Sequence, residues 1–207
     1  MKNSVKQMSS ISSITEEVFL SGVTAVASED TLTKHNITHS LNLARELQDF
    51  EYPVHVECLR VSLRDASDED LYPRLHDLVD HIHQVVGRGG RIVVHCVAGI
   101  SRSASVCIAY LVKHHEMTLN DAYHHVLDRR EVIHPNNGFW QSLVQFEEDI
   151  RGSNSVQLMP FVLGMVPSVY EQDTELCIKR YWMDELCLMF LFHLLVLTVQ
   201  TAAFFFM

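Results

Sequence analysis

The sequence has few glycines, prolines and cysteines, and each shortage argues against a class of protein. Eight glycines and five prolines in 207 residues are too few for a collagen-like or linker-like chain. The five cysteines are odd in number, irregularly spaced and without a CxxC pair, which argues against a disulfide framework and a cysteine zinc site. Basic residues are also scarce: 16 Lys and Arg face 26 Asp and Glu, and this acidic balance predicts no nucleic-acid partner.

The N-terminus lacks the signals that direct a chain to the secretory pathway or to a lipid anchor. Residues 1–18 contain no apolar run of the kind found in a signal peptide, and residue 2 is Lys rather than the Gly needed for N-myristoylation. We therefore expect a reducing compartment, with the cytoplasm as the default location and the nucleus as a second one.

Apolar residues make up 47% of the chain, which is enough to form a sizeable core and excludes disorder throughout. Apolar runs alternate with helical patterns, as is typical of an α/β protein. Ser28, Asp68 and Thr118 are predicted helix N-caps, and Asp68 would begin a helix over 69–86. Strands are expected at 18–20, 37–43, 54–63 and 91–95, and further helices from Arg102 and over 139–150.

The residues that indicate chemistry are concentrated between the apolar run 91–95 and the helix from Arg102. A loop at a helix N-terminus turns several backbone N–H groups towards one point, where a phosphate-sized anion can bind. Gly99 allows such a loop to close tightly, and the planar guanidinium of Arg102 can bind two phosphoryl oxygens. The helix dipole and Arg102 would favour the thiolate form of Cys96.

Other residues of the loop have supporting roles in this interpretation. Ser103 can donate a hydrogen bond to Cys96 when its sulfur becomes a leaving group, and His95 orients the loop rather than acting as a base. The rest of the predicted phosphate-binding loop consists of Val97, Ala98, Ile100 and Ser101.

The segment HCVAGISRS, at 95–103, resembles the signature HCxxGxxR[ST] of the protein tyrosine phosphatase superfamily. AYLV at 109–112 and PNNGFW at 135–140 resemble segments of the dual-specificity phosphatases. GMVPSVYE at 164–171 is similar to a segment of the small atypical members, which lack a kinase-docking domain. His134 departs from the subgroup, which usually has Arg there. We expect a disordered N-terminus over 1–13, a catalytic domain over 14–172 and an atypical hydrophobic tail over 173–207.

The resemblance implies an α/β fold with a central, mostly parallel, five-stranded sheet flanked by helices. It also implies catalysis through a phosphocysteine on Cys96, with Arg102 holding the phosphoryl group and no metal or other cofactor. The general acid of this family is an Asp about thirty residues before the Cys, which is Asp65 here; Asp68 and Asp70 are alternatives better explained by the start of a helix. Asn137 is expected to support the site.

The expected substrates are phosphoproteins. The loop carries no positive charge at its variable positions, whereas relatives that act on phosphoinositides tend to have Lys there. The short distance in sequence between Asp65 and His95 leaves little room for a tall wall around phosphotyrosine, so a shallow pocket should accept phosphotyrosine and phosphoserine or phosphothreonine. The resemblance suggests MAP kinases as the first guess among signalling proteins, although no residue of the sequence identifies them. A noncatalytic phosphoprotein-binding module and a phosphatase for nonprotein substrates are the alternatives.

Histidine and cysteine patterns offer weaker alternatives. The thirteen histidines include adjacent and alternate pairs, but solvated helix faces explain them better than a metal site does. Cys58 and Cys107 are predicted packed thiols, and the alternative is that one of them captures an oxidised Cys96 as a disulfide.

Residues 186–207 form an uncharged, mostly apolar segment that begins at Leu186 and ends at Met207. Spanning a bilayer takes about 20 apolar residues, but His193 and Gln200 weaken this pattern. The segment is therefore either an anchor in a mitochondrial or other membrane, a helix docked on the catalytic domain, or an unusual terminus from an alternative transcript.

Overall fold

The computed structural model describes residues 10–161 and 164–170, and a five-stranded sheet is their central element. The strand order is β1-β2-β5-β3-β4. β1 is antiparallel to β2, and all the other neighbours are parallel, which confirms the predicted α/β fold with a mostly parallel sheet. The strands are β1 Ile11–Ser13, β2 Val18–Gly22, β3 His39–Ala44, β4 Glu57–Leu63 and β5 Ile92–Cys96.

β5 is the central strand, and all five of its residues are buried. Its apolar run is typical of a parallel strand that is covered on both faces. The register with β2 places Gly22 beside Cys96, and the register with β3 places Asn42 beside His95. The carboxyl end of β5, where Cys96 lies, is therefore enclosed by strands on both sides.

α4 follows β5 and is the core helix, because every residue from Arg102 to Val112 is buried. It packs against α3, α5 and α6. Full burial of a Leu, Ile or Val side chain contributes about 1.5–3 kcal/mol, so this helix anchors the loop that precedes it. The helices are α1 Val23–Val26, α2 Glu29–Lys34, α3 Tyr72–Gly87, α4 Arg102–His114, α5 Leu119–Arg129 and α6 Asn137–Arg151.

Two of the three predicted helix caps are confirmed. The side-chain oxygens of Ser28 and Thr118 accept hydrogen bonds from backbone N–H groups three residues later. The prediction for Asp68 is wrong, because α3 begins at Tyr72 with a proline in its first turn. Proline is favoured there because its fixed φ suits a helix and no N–H is required. Asp68 instead forms an ion pair with Arg64, with Oδ2 3.3 Å from Nη1.

The predicted disordered N-terminus is wrong at its end, because Ile11–Ser13 form β1.

Strands β6 Leu158–Phe161 and β7 Gly164–Pro167 pair in a separate antiparallel sheet. A compact unit ends at Pro167, and Ser168–Tyr170 form a 3-10 helix in a second unit. The hydrophobic tail over 173–207 lies outside the described residues, and the boundaries of the catalytic domain over 14–172 stay a prediction. Within 10–161 and 164–170, no helix is both long and apolar enough to cross a membrane.

Candidate active site

The candidate site lies at one edge of the sheet, where the parallel strands end. Cys96 is the last residue of β5, and the loop 97–101 leads from it into α4. Asp65 follows the end of β4, and Glu46 follows the end of β3 in a short 3-10 helix, Arg45–Leu47. Ligands of open α/β sheets bind outside the carboxyl ends of the strands, and the candidate residues converge there.

The Cys96 side chain is 1% exposed, and two hydrogen-bond donors lie against its sulfur. The Gly99 N–H donates to Sγ at 3.2 Å, and the Ser103 hydroxyl oxygen lies 3.2 Å from Sγ. Donors of this kind stabilise a thiolate and favour its reactive form. Ser103, a residue expected to be catalytic, thus lies beside the Cys96 sulfur.

The loop packs against β2 so closely that two glycines at the contact have no room for a side chain. Gly99 has φ +69°, and a Cβ there would lie 2.5 Å from the Ser21 carbonyl carbon and oxygen. At Gly22, a Cβ would lie 2.9 Å from the carbonyl oxygen of Val97, an oxygen that also accepts a hydrogen bond from the Val23 N–H at 2.9 Å. Glycine is therefore required on both sides of this contact.

Arg102 is 3% exposed and is held by one group from the 3-10 helix after β3 and one from the end of β4. Its Nη1 donates to Glu46 Oε2 at 2.6 Å and to the Leu63 carbonyl oxygen at 3.0 Å. Burial of Glu46 opposes its ionisation, but the hydrogen bond and charge of Arg102 outweigh this effect and hold the pKa of the Glu46 carboxyl below its usual value. Glu46 was not predicted from the sequence, although its position after a buried strand is a signal for it.

Asp65 is the acidic residue that reaches the loop. Its Oδ2 lies 3.6 Å from Nε of Arg102, and its Oδ1 accepts from the Ser101 hydroxyl at 2.7 Å. The rivals Asp68 and Asp70 instead line a neighbouring cavity of about 370 Å³, together with Ser67, Glu69, Gly138, Gln141, Ser142 and Gln145. Of these three candidates, Asp65 is thus the one that contacts Ser101 and Arg102.

Asn136, rather than the expected Asn137, contacts Asp65. The Asn136 Nδ2 donates to Asp65 Oδ1 at 3.0 Å, and its backbone N–H donates to the Ser101 hydroxyl at 3.2 Å. Its Oδ1 accepts from the Phe139 N–H, so it is also the N-cap of α6. Asn137 is the first residue of that helix, and the predicted supporting residue is thus displaced by one position.

His95 is fully buried below the loop, with its Nε2 2.5 Å from the Tyr52 hydroxyl and its Nδ1 3.3 Å from the Cys96 carbonyl oxygen. Burial lowers the pKa of His95 to about 4. A neutral imidazole in this position can orient the start of the loop, which is the role expected of His95 from the sequence. Burial also raises the pKa of Tyr52, which therefore stays protonated. Tyr52 lies 43 residues before His95 and was not predicted.

The other histidines and cysteines considered in the sequence have contacts that suit a structural role. No group of three or more His, Cys, Asp or Glu within 10–161 and 164–170 is arranged to hold a metal ion. His83 and His114 stack with ring centroids 4.1 Å apart. Cys107 is fully buried, and burial raises the pKa of its thiol, which suits a packed core residue.

Comparisons with known proteins agree with this geometry. Residues 18–149 match the family model for the dual specificity phosphatase catalytic domain. Dual specificity protein phosphatase 18 of Pongo abelii is 36% identical over 171 residues, covering 83% of this chain and 90% of that protein. Dual specificity protein phosphatase 21 of Homo sapiens is 37% identical over 170 residues, covering 82% of this chain and 89% of that protein.

Two solved human structures have similar folds. The crystal structure of DUSP28 is 32% identical, with a TM-score of 0.62, and the match covers 68% of this chain and 95% of that chain. The tyrosine phosphatase-like serine/threonine/tyrosine-interacting protein is 29% identical, with a TM-score of 0.63 and coverage of 67% and 96%. The family match covers most of the chain and includes the whole loop from His95 to Ser103. The chain therefore belongs to the dual-specificity protein phosphatases, and specifically to their small atypical members.

Proposed function

We propose that the protein hydrolyses phosphotyrosine and phosphoserine or phosphothreonine in proteins through a phosphocysteine intermediate. One observation carries this proposal: the Cys96 sulfur, held by two donors, begins a loop whose arginine lies 3.6 Å from the Asp65 carboxylate. A nucleophile, a phosphate-binding cation and an acid thus lie within one connected network.

In the first step, the Cys96 thiolate attacks phosphorus, and an S–P bond forms as the bond to the leaving oxygen breaks. Asp65 gives its proton to that oxygen, so that a neutral alcohol or phenol departs. Arg102 binds the equatorial oxygens of the phosphoryl group. Its Nε is buried and makes no hydrogen bond to other described residues, so this donor is available to a phosphoryl oxygen.

In the second step, Asp65 takes a proton from a water molecule that attacks the phosphocysteine. The S–P bond breaks, inorganic phosphate leaves, and Cys96 departs as a thiolate. The Ser103 hydroxyl and the Gly99 N–H, each 3.2 Å from the sulfur, stabilise that negative charge. Arg102 and the loop amides supply the charge stabilisation in both steps, and the mechanism needs no metal ion.

The rim of the loop supports a protein substrate. Val97 is 39% exposed, and Ala98 and Ile100 are half-buried, so the rim offers apolar surface rather than the Lys that suits a phosphoinositide. The family resemblance adds phosphorylated signalling proteins such as MAP kinases as the first substrates to test. Location in the cytoplasm or nucleus, and membrane association through 186–207, stay predictions from the sequence.

The test compares the wild-type protein with Cys96→Ser on p-nitrophenyl phosphate, then on phosphotyrosine and phosphothreonine peptides of one sequence. We expect wild-type turnover of all three, no turnover by the variant, and a phosphorylated Cys96 peptide in acid-quenched wild-type reactions by mass spectrometry. Cys58→Ser on the edge strand β4 is the matched control and should keep full activity.

Equal inactivity of the wild-type protein and Cys96→Ser would indicate a noncatalytic phosphoprotein-binding module instead. Equal activity would show that Cys96 is not the nucleophile. Turnover of p-nitrophenyl phosphate without turnover of either peptide would favour a nonprotein substrate.

A further inference from the structure

Arg130 is a fully buried arginine that contacts the phosphate-binding loop from outside it. Its Nε donates to the Gly99 carbonyl oxygen at 2.7 Å, and its Nη2 donates to the Ala98 carbonyl oxygen at 2.9 Å. The residue follows the last turn of α5, 31 positions after Gly99. The guanidinium therefore binds two successive carbonyl groups of the loop in its planar fork.

One peptide unit connects Arg130 to the proposed nucleophile. The Ala98 carbonyl oxygen accepts from Arg130, and the N–H of the same peptide bond, on Gly99, donates to Cys96 Sγ at 3.2 Å. A trans peptide unit is planar, with its C=O and N–H pointing in opposite directions. Fixing the carbonyl on Arg130 consequently fixes the direction of the amide that contacts the sulfur.

The third nitrogen of Arg130 reaches the N-terminal strand. Nη1 donates to the Ser10 carbonyl oxygen at 3.2 Å and lies 3.5 Å from the Ser12 hydroxyl. These contacts hold the guanidinium from the side opposite to the loop, so β1 restrains the orientation of the fork. The edge strand thereby contributes to the geometry of the loop, although it provides no residue to the site.

The charge of Arg130 acts on Cys96 as well. Burial lowers the pKa of Arg130, and the negative charge of Cys96 acts in the opposite direction. In the proposed mechanism, Arg102 lies on the side of the loop where the phosphoryl group binds. Arg130 adds a second positive charge behind the loop, at the carbonyl groups of Ala98 and Gly99.

We propose that Arg130 is a positioning residue of the phosphatase reaction: it aims the Gly99 amide at the Cys96 sulfur and places a second positive charge behind the loop. The inference rests on the proposed function, because it assumes that Cys96 is the nucleophile. It assigns a role in the active site to a residue outside the signature segment 95–103.

The test measures the rate at which iodoacetamide alkylates Cys96 at different pH values, with the labelled peptide identified by mass spectrometry. The variants are Arg130→Met, Arg130→Gln and Arg130→Lys, and the matched control is the exposed neighbour Arg129→Met. We expect the midpoint of the pH dependence to rise in the methionine and glutamine variants and to stay near the wild-type value in the lysine variant, which keeps the charge.

Steady-state kinetics separate positioning from charge. Lysine cannot reproduce the two-carbonyl fork, so all three variants should lose kcat/KM, by about 10-fold or more, and should bind inorganic phosphate more weakly as an inhibitor. Thermal unfolding monitors folding. If Arg130→Met does not fold, the lysine variant, which keeps a buried cation and most of the volume, provides the decisive kinetics.

A folded Arg130→Met with a wild-type alkylation midpoint and kcat/KM within twofold would overturn the inference, as would a lysine variant with wild-type kcat/KM. If the proposed function itself fails, the outcome differs: the wild-type protein would show no turnover that depends on Cys96, whichever residue is at position 130.

Discussion

Asp65 Oδ2 lies 3.6 Å from Nε of Arg102, which brings the proposed acid and the proposed phosphate-binding cation together in one ion pair. Asp65 follows β4 and Arg102 begins α4. They are joined further by Ser101, whose hydroxyl donates to Asp65 Oδ1 at 2.7 Å. In the proposed mechanism, the leaving oxygen of a phosphoryl group bound by Arg102 therefore lies near Asp65, the carboxylate that both Arg102 and Ser101 contact.

Asp65→Asn should reduce kcat on phosphothreonine peptides by about 100- to 1000-fold, because an alkoxide leaving group needs a proton. The loss on p-nitrophenyl phosphate should be smaller, since nitrophenolate leaves without protonation. Asp68→Asn, which removes only a surface ion pair with Arg64, is the control. A similar loss in both variants would contradict the role of Asp65.

Asn136 has two functions that different substitutions separate. Asn136→Ala removes both the helix cap and the donor to Asp65, and it should cost about 1 kcal/mol in the free energy of unfolding as well as activity. Asn136→Ser keeps a capping oxygen and loses only the donor, so it should lower kcat with little effect on stability. Urea denaturation and peptide kinetics measure the two effects. Asn137→Ala should be near wild type in both, and a greater loss of activity there than at Asn136 would restore the original prediction.

Gly99→Ala should damage the loop much more than Gly152→Ala damages the end of α6. Both glycines have φ +69°, but an added Cβ at Gly99 meets the Ser21 carbonyl at 2.5 Å, whereas nothing lies within 4 Å at Gly152. The shared left-handed conformation costs about 1–2 kcal/mol for alanine. We expect Gly152→Ala to show this cost alone, in thermal unfolding, with normal kinetics. Gly99→Ala should lose more stability and at least about 10-fold in kcat/KM.

The buried His95 should make stability depend on pH. Its pKa is about 4 in the folded protein and about 6.5 in an unfolded chain, so the unfolded state binds the proton first as pH falls. Its contribution is fully present above pH 6.5 and is lost as pH falls towards 4. Between pH 7.5 and 5.0 this amounts to about 2 kcal/mol. The free energy of unfolding of His95→Gln should fall less over that interval. The exposed His124→Gln should follow wild type, and parallel curves for all three proteins would refute the assignment.

The part of the site that is contiguous in sequence could be predicted from the sequence alone. His95 to Ser103 join a buried strand to a buried helix, so their relative positions follow from local geometry. Asp65 was chosen because the family resemblance implies an Asp about thirty residues before the Cys. It follows a strand that runs parallel to β5, so it lies at the same edge of the sheet as Cys96. Asp68 and Asp70 differ from Asp65 mainly in their tertiary contacts. The wrong helix cap predicted at Asp68 shows that the local sequence pattern hardly distinguishes these three residues.

The residues that could not be predicted act over long sequence distances. Arg130, Tyr52 and Glu46 contact the loop from elements that are 31 or more residues away in the chain. No local sequence pattern marks an arginine as buried, because its burial depends on carbonyl acceptors that the folded chain brings to it. β1 was missed for a similar reason: its Ser-rich sequence forms a strand by pairing with β2, not through apolar alternation.

The parallel arrangement of β2, β5, β3 and β4 has a consequence for how this chain can vary. All of their carboxyl ends lie at the catalytic edge, and their amino ends lie at the opposite edge of the sheet. The turn before β5 contains Gly89, around which nothing lies within 4 Å of an added Cβ, and Val54 before β4 is fully exposed. Tags, fluorophores or inserted peptides attached at these turns are separated from the chemistry by the length of the sheet. We therefore expect insertions to be tolerated at the amino-end edge of the sheet and not at the edge that holds the candidate site.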